Sequence, residues 1–373
     1  MPRIVVAGGG FGGIAAAVAL TRELGPGTVT LADRRPDFAM GLRKAWAVFG
    51  IEGLESGTRR LADLDGVDFM QGEISGVDPT ARAIDVDGHR VAGDALVIAL
   101  GAQQAPAAVP GLAEHGINVW DRAEAERARV ASAGLSQGRL LIGVFGMPHS
   151  CPPAPYEFAL LARDTLPAEV EVSVFTPAPM ALSVAGPQQS ARLEALLGKR
   201  GVRFLPGHRA TEVAAGVVRF AEGPEETFDV LFGVPPHRCP TVLVEAGLAE
   251  VGGWMKPHPR TLETAFEGIY AVGDCTAIPL ANGLPLPKAG VFAHAQGEAV
   301  AARIAAQLRG EEATATFSGE GMCFLETGRG EAAKTFGSFL ADPPQVTVSS
   351  PDIATMEEKR EFERSRLAAW FGH

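Results

Sequence analysis

One cysteine stands where a helix begins. Ser150-Cys151-Pro152-Pro153-Ala154-Pro155-Tyr156-Glu157 places a thiol just before a proline-rich first turn, and residues 154–165 read as helix. A helix N-terminus stabilises a thiolate, so the Cys151 pKa is expected to fall, as suits a nucleophile. Glu157 lies six residues further on, inside the helix. In an apolar site its carboxyl would carry a raised pKa and relay protons; otherwise it only complements the helix dipole. His149, two residues before Cys151, either moves protons or lies exposed in the loop. Cys239 and Cys275 read as bystanders, because most single cysteines are small buried hydrophobes. With only four cysteines (151, 239, 275 and 323), a bond between two of them would be catalytic rather than part of a structural framework.

The second chemical feature is a phosphate cradle. The apolar run Arg3-Ile4-Val5-Val6-Ala7 leads into Gly8-Gly9-Gly10-Phe11-Gly12-Gly13 and then into Ile14-Ala15-Ala16-Ala17-Val18-Ala19-Leu20. This is strand, glycine turn and helix, the context a dinucleotide fingerprint requires. Gly8 makes the turn, Gly10 lets backbone approach a diphosphate, and Gly13 lets helix pack on strand. The amides at the helix N-terminus would hold the diphosphate. The strand Val29-Thr30-Leu31-Ala32 ends in Asp33, which suits ribose hydroxyls. Ile269-Tyr270-Ala271-Val272-Gly273-Asp274 puts a second carboxylate at a strand end beside the same cleft. The candidate cofactor-binding set is Gly8, Gly10, Phe11, Gly13, Asp33, Arg34, Ile74, Ala99, Gly101, Gly273, Asp274, Lys288 and Ala289.

The elements that must position these residues alternate strand and helix, which gives an α/β fold with two Rossmann-like units and a small C-terminal region. Residues 1–105 and 264–310 are expected to form one discontinuous nucleotide-binding domain. Residues 106–263 form a second unit carrying Cys151, and 311–373 a C-terminal region carrying Cys323. In the second unit, strand 140–145 is followed by Gly146-Met147-Pro148-His149-Ser150-Cys151 rather than a glycine fingerprint. The next strand ends Phe175-Thr176-Pro177, without an acid. Both halves of a nicotinamide-nucleotide signature are missing. Helix 290–308 would point its N-terminus at a flavin's pyrimidine edge. A last helix, 357–372, is charged, with Leu367, Trp370 and Phe371 along one side. The chain has 373 residues, 46% of them apolar, and a net charge of −11. That balance argues against nucleic acid and against attraction to anionic lipid. No apolar run is long enough to span a membrane, and no signal peptide precedes the first strand, so a cytoplasmic protein with at most peripheral membrane contact is expected.

Gly8–Gly13, Asp33, Ala99-Leu100-Gly101-Ala102 and Ala271-Val272-Gly273-Asp274 together resemble the flavoprotein reductases with two dinucleotide domains. That resemblance implies FAD in the first fingerprint and the Asp274 carboxylate on its ribityl chain. Ser150–Glu157, Gly321-Met322-Cys323-Phe324-Leu325-Glu326, Pro235-Pro236-His237-Arg238 and Leu286-Pro287-Lys288-Ala289-Gly290 resemble segments of the sulfide:quinone oxidoreductases and of the flavoprotein subunit of flavocytochrome c sulfide dehydrogenase. The closer resemblance implies a Cys151–Cys323 disulfide against the flavin, Lys288 near the flavin and Glu157 near the sulfur chemistry. No cysteine precedes residue 151, so non-covalent FAD is implied, and the third cysteine many of these reductases carry is absent.

The resulting expectation is an FAD-dependent oxidoreductase. It oxidises sulfide or a related sulfur species at Cys151 and Cys323, with Glu157 and Lys288 assisting, and passes two electrons to a quinone or cytochrome. No metal is expected, and a homodimer is compatible with the sequence. Two alternatives stand beside it: an NADH-dependent flavin reductase acting on quinones or disulfides, and a flavin-binding redox sensor without turnover.

Overall fold

The computed structural model describes residues 2–221 and 223–372. Strand β1 (Ile4–Ala7), four fully buried apolar residues, runs through the glycine turn into helix α1 (Phe11–Leu24). Strand β2 (Val29–Asp33) returns parallel to it, with Val6 beside Leu31. Helix α2 (Arg43–Val48) follows. Strands β3 (Asp68–Gln71) and β4 (Ala95–Ile98) complete the N-terminal contribution to the first sheet.

The second sheet begins with β5 (Ile117–Asn118) and β6 (Gly138–Val144). Helix α3 (Ala154–Thr165), β7 (Val170–Phe175), α4 (Gly186–Lys199), β8 (Val202–Leu205) and β9 (Val230–Val234) continue it. Its order is β5-β9-β6-β7-β8, all parallel. The chain then returns to the first sheet through β10 (Ile269–Ala271), giving the order β10-β4-β1-β2-β3, again all parallel. Helix α5 (Gly290–Leu308) lies against α1. Two fully parallel sheets, covered by helices, are the expected α/β architecture.

Residues beyond 311 hold more structure than their sequence pattern announced. Strands β11 (Glu320–Gly328), β12 (Glu331–Ser338) and β13 (Gln345–Val348) form an antiparallel sheet. Helix α6 (Ile353–Phe371) starts four residues earlier than expected, because the Asp352 carboxylate accepts the Thr355 amide at 2.6 Å and caps it. This region joins two cores. Phe317, Phe339, Leu367 and Trp370 pack into the first, while Leu325, Ala332, Ala333 and Met356 pack into the second. Trp370 meets Phe11 and Phe38 edge-on, with ring centroids 5.5 and 5.4 Å away. The apolar side of α6 is therefore spent inside the molecule. Among the described residues no helix is long and apolar enough to cross a membrane.

Removing the buried Trp370 ring leaves a cavity between α6 and the glycine turn. Trp370→Ala is expected to cost about 3–5 kcal/mol and to lower the urea midpoint. Ile353→Ala, at a residue 66% exposed, should change stability by less than about 0.5 kcal/mol. Equal midpoints for the two variants would contradict this packing.

Candidate active site

The glycine turn has the shape a diphosphate needs. Gly8 has φ +111°, and a Cβ there would lie 2.3 Å from the Ala99 carbonyl oxygen. A Cβ on Gly13 would lie 1.8 Å from the Gly8 carbonyl oxygen, so any side chain would push α1 off β1. Around Gly10 there is nothing within 4 Å of such an atom. No side chain caps α1 and no acid occupies its first turn, so its N-terminal amides stay available to an anion. Asp33 accepts the Gly9 and Arg35 amides at 2.6 and 2.8 Å. The cradle therefore fits the diphosphate and ribose of FAD. Gly101 sits in a left-handed turn just past β4, and Ile74 is buried. Arg34 is exposed beside Glu73, with 3.8 Å between charged atoms. The Phe11 ring is committed to packing against Phe38 and Trp370, which leaves its backbone as the part facing the cradle.

In the second unit the loop after β6 is built around the thiol. Cys151 adopts φ +52°, a left-handed conformation that non-glycine residues seldom hold outside functional sites. Backbone bonds hold it there. Its N–H donates to the Lys288 carbonyl at 2.6 Å, and its carbonyl accepts the Ala154 amide at 3.0 Å. Ser150 is fixed on both sides. Its hydroxyl donates to Asp274 Oδ2 at 2.5 Å, and its carbonyl accepts Trp120 Nε1 at 3.0 Å. The Asp274 strand end of the first unit is thus tied directly to the cysteine loop.

The expectation of a lowered Cys151 pKa is overturned. The residue keeps one side open to solvent, but protein surrounds the sulfur otherwise. Desolvation, and after it the Glu157 charge, pushes the thiol up to about 12. The Ala154 amide, Lys359 and Lys44 pull the other way and are outweighed. Helix position alone does not set a thiol's pKa when a carboxylate shares its dry surroundings. The alternative of an exposed His149 is also corrected. The ring is 4% exposed, packs on Trp120, and is held neutral by burial, its pKa lowered to about 4.

Cys323 lies on β11, which packs across α3. A Cβ on Gly321 would come 2.1 Å from the Phe292 ring, so the small residue lets the start of β11 seat closely on α5. Burial raises the Cys323 thiol, and the charges of Cys151 and Glu157 add to the effect, so the three groups share one neighbourhood. All four cysteines are free thiols in the structure.

Beneath these thiols is a buried ionic cluster. Lys359, 1% exposed, donates to Glu157 Oε1 at 3.0 Å and to Glu326 Oε2 at 2.8 Å. Glu157 Oε2 accepts the Glu326 amide at 2.9 Å, and Glu326 Oε2 accepts Trp46 Nε1 at 2.5 Å. Burial raises the Glu157 pKa, and Lys359 opposes that rise. The cluster joins α2, α3, β11 and α6. Trp46 and Lys359 carried no signal in the sequence. Glu326 stood three residues after Cys323, in a quoted motif, with no role assigned.

Lys288, expected near the flavin, lies in the loop that precedes α5 and is 5% exposed. Its ammonium donates to the carbonyls of Asp274 and Thr276 at 2.6 and 2.9 Å and lies 3.4 Å from the centroid of the Trp254 ring. Burial lowers its pKa to about 8. The side chain braces the strand end that carries Asp274, and its backbone carbonyl anchors Cys151. Ala289 is buried at the start of α5, and the Gly273 amide is taken by Gln296 Oε1 at 2.6 Å.

Comparison with known proteins agrees with this geometry. Residues 2–299 match the family model described as pyridine nucleotide-disulphide oxidoreductase. The mitochondrial sulfide:quinone oxidoreductase of Mus musculus is 25% identical over 300 residues, 74% of this chain and 66% of that protein. The chain therefore spans slightly less than two thirds of the mouse protein. The sulfide-quinone reductase of Aquifex aeolicus is 26% identical over 375 residues, 91% of this chain and 83% of that protein. The solved structure of the sulfide:quinone oxidoreductase from Aquifex aeolicus superposes with a TM-score of 0.88 at 21% identity, covering 100% of this chain and 93% of that one. With a cradle that fits FAD and a family model covering most of its length, the chain is an FAD-binding oxidoreductase that belongs to the pyridine nucleotide-disulphide oxidoreductase family.

Proposed function

We propose that this enzyme oxidises sulfide, or a closely related sulfur nucleophile, through a reversible Cys151–Cys323 disulfide and delivers the electrons to a quinone. The observation that carries the reading is that the strand bearing Cys323 packs across the helix that follows Cys151, with the Glu157 carboxylate accepting the Glu326 amide between them and acting on both thiols. The names of the relatives support the substrate and the acceptor. The loop after β6 supports the loss of nicotinamide binding. Cys151 fills the place of a glycine cradle, and β7 ends in buried Phe175, packed on Phe145 and Phe220, rather than in an acid.

In the proposed reaction, hydrosulfide attacks one sulfur of the disulfide. The Cys151–Cys323 bond breaks and a new sulfur–sulfur bond forms, leaving one persulfide and one thiolate. Glu157, with its pKa raised by burial, accepts a proton from the sulfur species, and Lys359 keeps the charge of the cluster balanced. Transfer of the outer, zero-valent sulfur to a nucleophilic acceptor leaves the two cysteines as a dithiol, and oxidation of that dithiol re-forms the disulfide and releases two electrons. FAD, when bound, supplies the two-electron sink for that step. The Gly8–Gly13 turn and Asp33 would hold its diphosphate and ribose. Ser150, bonded to Asp274, fixes the cysteine loop against that cofactor-binding unit.

Anaerobic titration of the yellow protein with sulfide is the direct test. The flavin should bleach with sulfide and not with NADH, and quinone should restore it. Cys151→Ser and Cys323→Ser should each slow sulfide-dependent bleaching on the order of a hundredfold or more, as loss of a covalent nucleophile does. Full retention in Cys151→Ser, or rapid bleaching by NADH alone, would contradict the proposal. Recolouring by a cytochrome but not by quinone would keep the sulfur chemistry and replace the acceptor.

Glu157→Gln gives a second test with a defined sign. The Glu157 charge raises the Cys151 thiol pKa, so its removal should move alkylation of Cys151 in the reduced protein to lower pH. The measurement is the rate of reaction with a neutral alkylating agent against pH, followed by peptide mass spectrometry. An unchanged profile would remove Glu157 from the thiol's electrostatic surroundings.

A further inference from the structure

A second lysine bears on Cys151, from outside the buried cluster. Lys44 lies on α2, and its ammonium donates to the Trp120 carbonyl at 2.6 Å. Trp120 in turn donates through its indole nitrogen to the carbonyl of Ser150, the residue before Cys151, at 3.0 Å. This chain of bonds hangs the lysine beside the cysteine loop. The charges of Lys44 and Cys151 act on each other in both directions.

Most cations nearby are matched by a carboxylate, and Lys288, which is not, spends its ammonium on two carbonyls and the Trp254 ring. Arg122 pairs with Asp37, and Arg35 lies 3.6 Å from Asp33. Lys359 is matched by Glu157 and Glu326. Among the described residues no carboxylate stands within ion-pair distance of Lys44, and the partner of its one hydrogen bond is a neutral carbonyl. Asp121 attracts it from further off, while its own carboxylate caps the Ala123 amide at 3.0 Å. Burial lowers the Lys44 pKa to about 8, so the group is still mostly cationic at neutral pH. A half-buried ammonium with no counter-ion favours an anion beside it.

We propose that Lys44, held by the Trp120 carbonyl, is the docking point for the negatively charged sulfur nucleophile that approaches Cys151. The ligand class is a small sulfur anion, with hydrosulfide the simplest. The choice of that anion as substrate rests on the reading in the preceding subsection; the anion site itself does not. The role of Lys44 is to concentrate and aim the nucleophile, and it forms no bond in the reaction. A neutral thiol of similar size gains nothing from it.

The test uses the reduced, flavin-loaded protein and a matched pair of thiol reagents, an anionic sulfonatoethyl methanethiosulfonate and neutral methyl methanethiosulfonate. Modification of Cys151 is followed by peptide mass spectrometry. The ratio of anionic to neutral rate should be on the order of tenfold higher in the wild type than in Lys44→Met, and Lys44→Arg should retain it. In steady state, Lys44→Met should raise KM for sulfide more than it lowers kcat. If Lys44→Met fails to hold flavin, the wild-type ratio against ionic strength decides: a fall with salt supports the site, and a flat ratio overturns it. Equal ratios in wild type and Lys44→Met overturn the proposal even if sulfide bleaches the flavin. A ratio lost in Lys44→Met, in a protein that sulfide never reduces, keeps the anion site and removes the functional reading instead.

Discussion

A single ammonium group holds the two halves of the sulfur chemistry together. Lys359 comes from the last helix, Glu157 from the helix that follows Cys151, and Glu326 from the strand that carries Cys323. Removing Lys359 would leave two carboxylates without a cation in a dry interior. Breaking such a buried pair typically costs about 3–5 kcal/mol. The cluster stores little net stability over an apolar packing of equal volume. Its value is in register, because charges this deep accept few alternative arrangements. One positive and two negative groups also leave the site short of a cation. Desolvation, and after it that imbalance, raises the pKa of Glu157 and of both thiols.

This arrangement changes how Cys151 is understood. A thiol raised to about 12 is a poor free nucleophile at neutral pH. The same surroundings favour uncharged sulfur, and a disulfide is uncharged. In the proposed reaction it is the incoming sulfur anion that brings the negative charge. The strained φ of Cys151, the Ser150–Asp274 bond and the Lys288 carbonyl hold the loop on which that attack is proposed. The Lys288 ammonium braces the strand end that carries Asp274.

The parallel sheets and the glycine cradle were legible because they depend on local rules. Ile4–Ala7 is apolar without interruption, Gly8 and Gly13 stand where a Cβ would collide, and Asp33 ends its strand. Cys151 was legible for the opposite reason, as residues that break the expected glycine pattern. The C-terminal region was not. Glu320–Gly328 and Glu331–Ser338 pair with each other, but the core their buried face packs into lies in another unit. On α6, Met356, Lys359, Glu363, Leu367 and Trp370 form one buried stripe at helical spacing. Two of the five are charged, so the stripe is hidden from any rule that puts charge outside. Lys359 becomes readable only once Glu157 and Glu326 are in place, and Glu363 only beside Arg43. The sign of the Cys151 shift failed for a related reason: helix position is a property of the sequence, and desolvation is a property of the assembled fold.

The central claim is that Cys151 and Cys323 form the reversible disulfide, and non-reducing peptide mapping of the air-oxidised protein tests it most directly. The account predicts one linked peptide pair containing residues 151 and 323, with the other two of the four cysteines free. The link should disappear on anaerobic addition of sulfide or a dithiol. Four free thiols in the oxidised protein, or a link between Cys239 and Cys275 instead, would contradict the account.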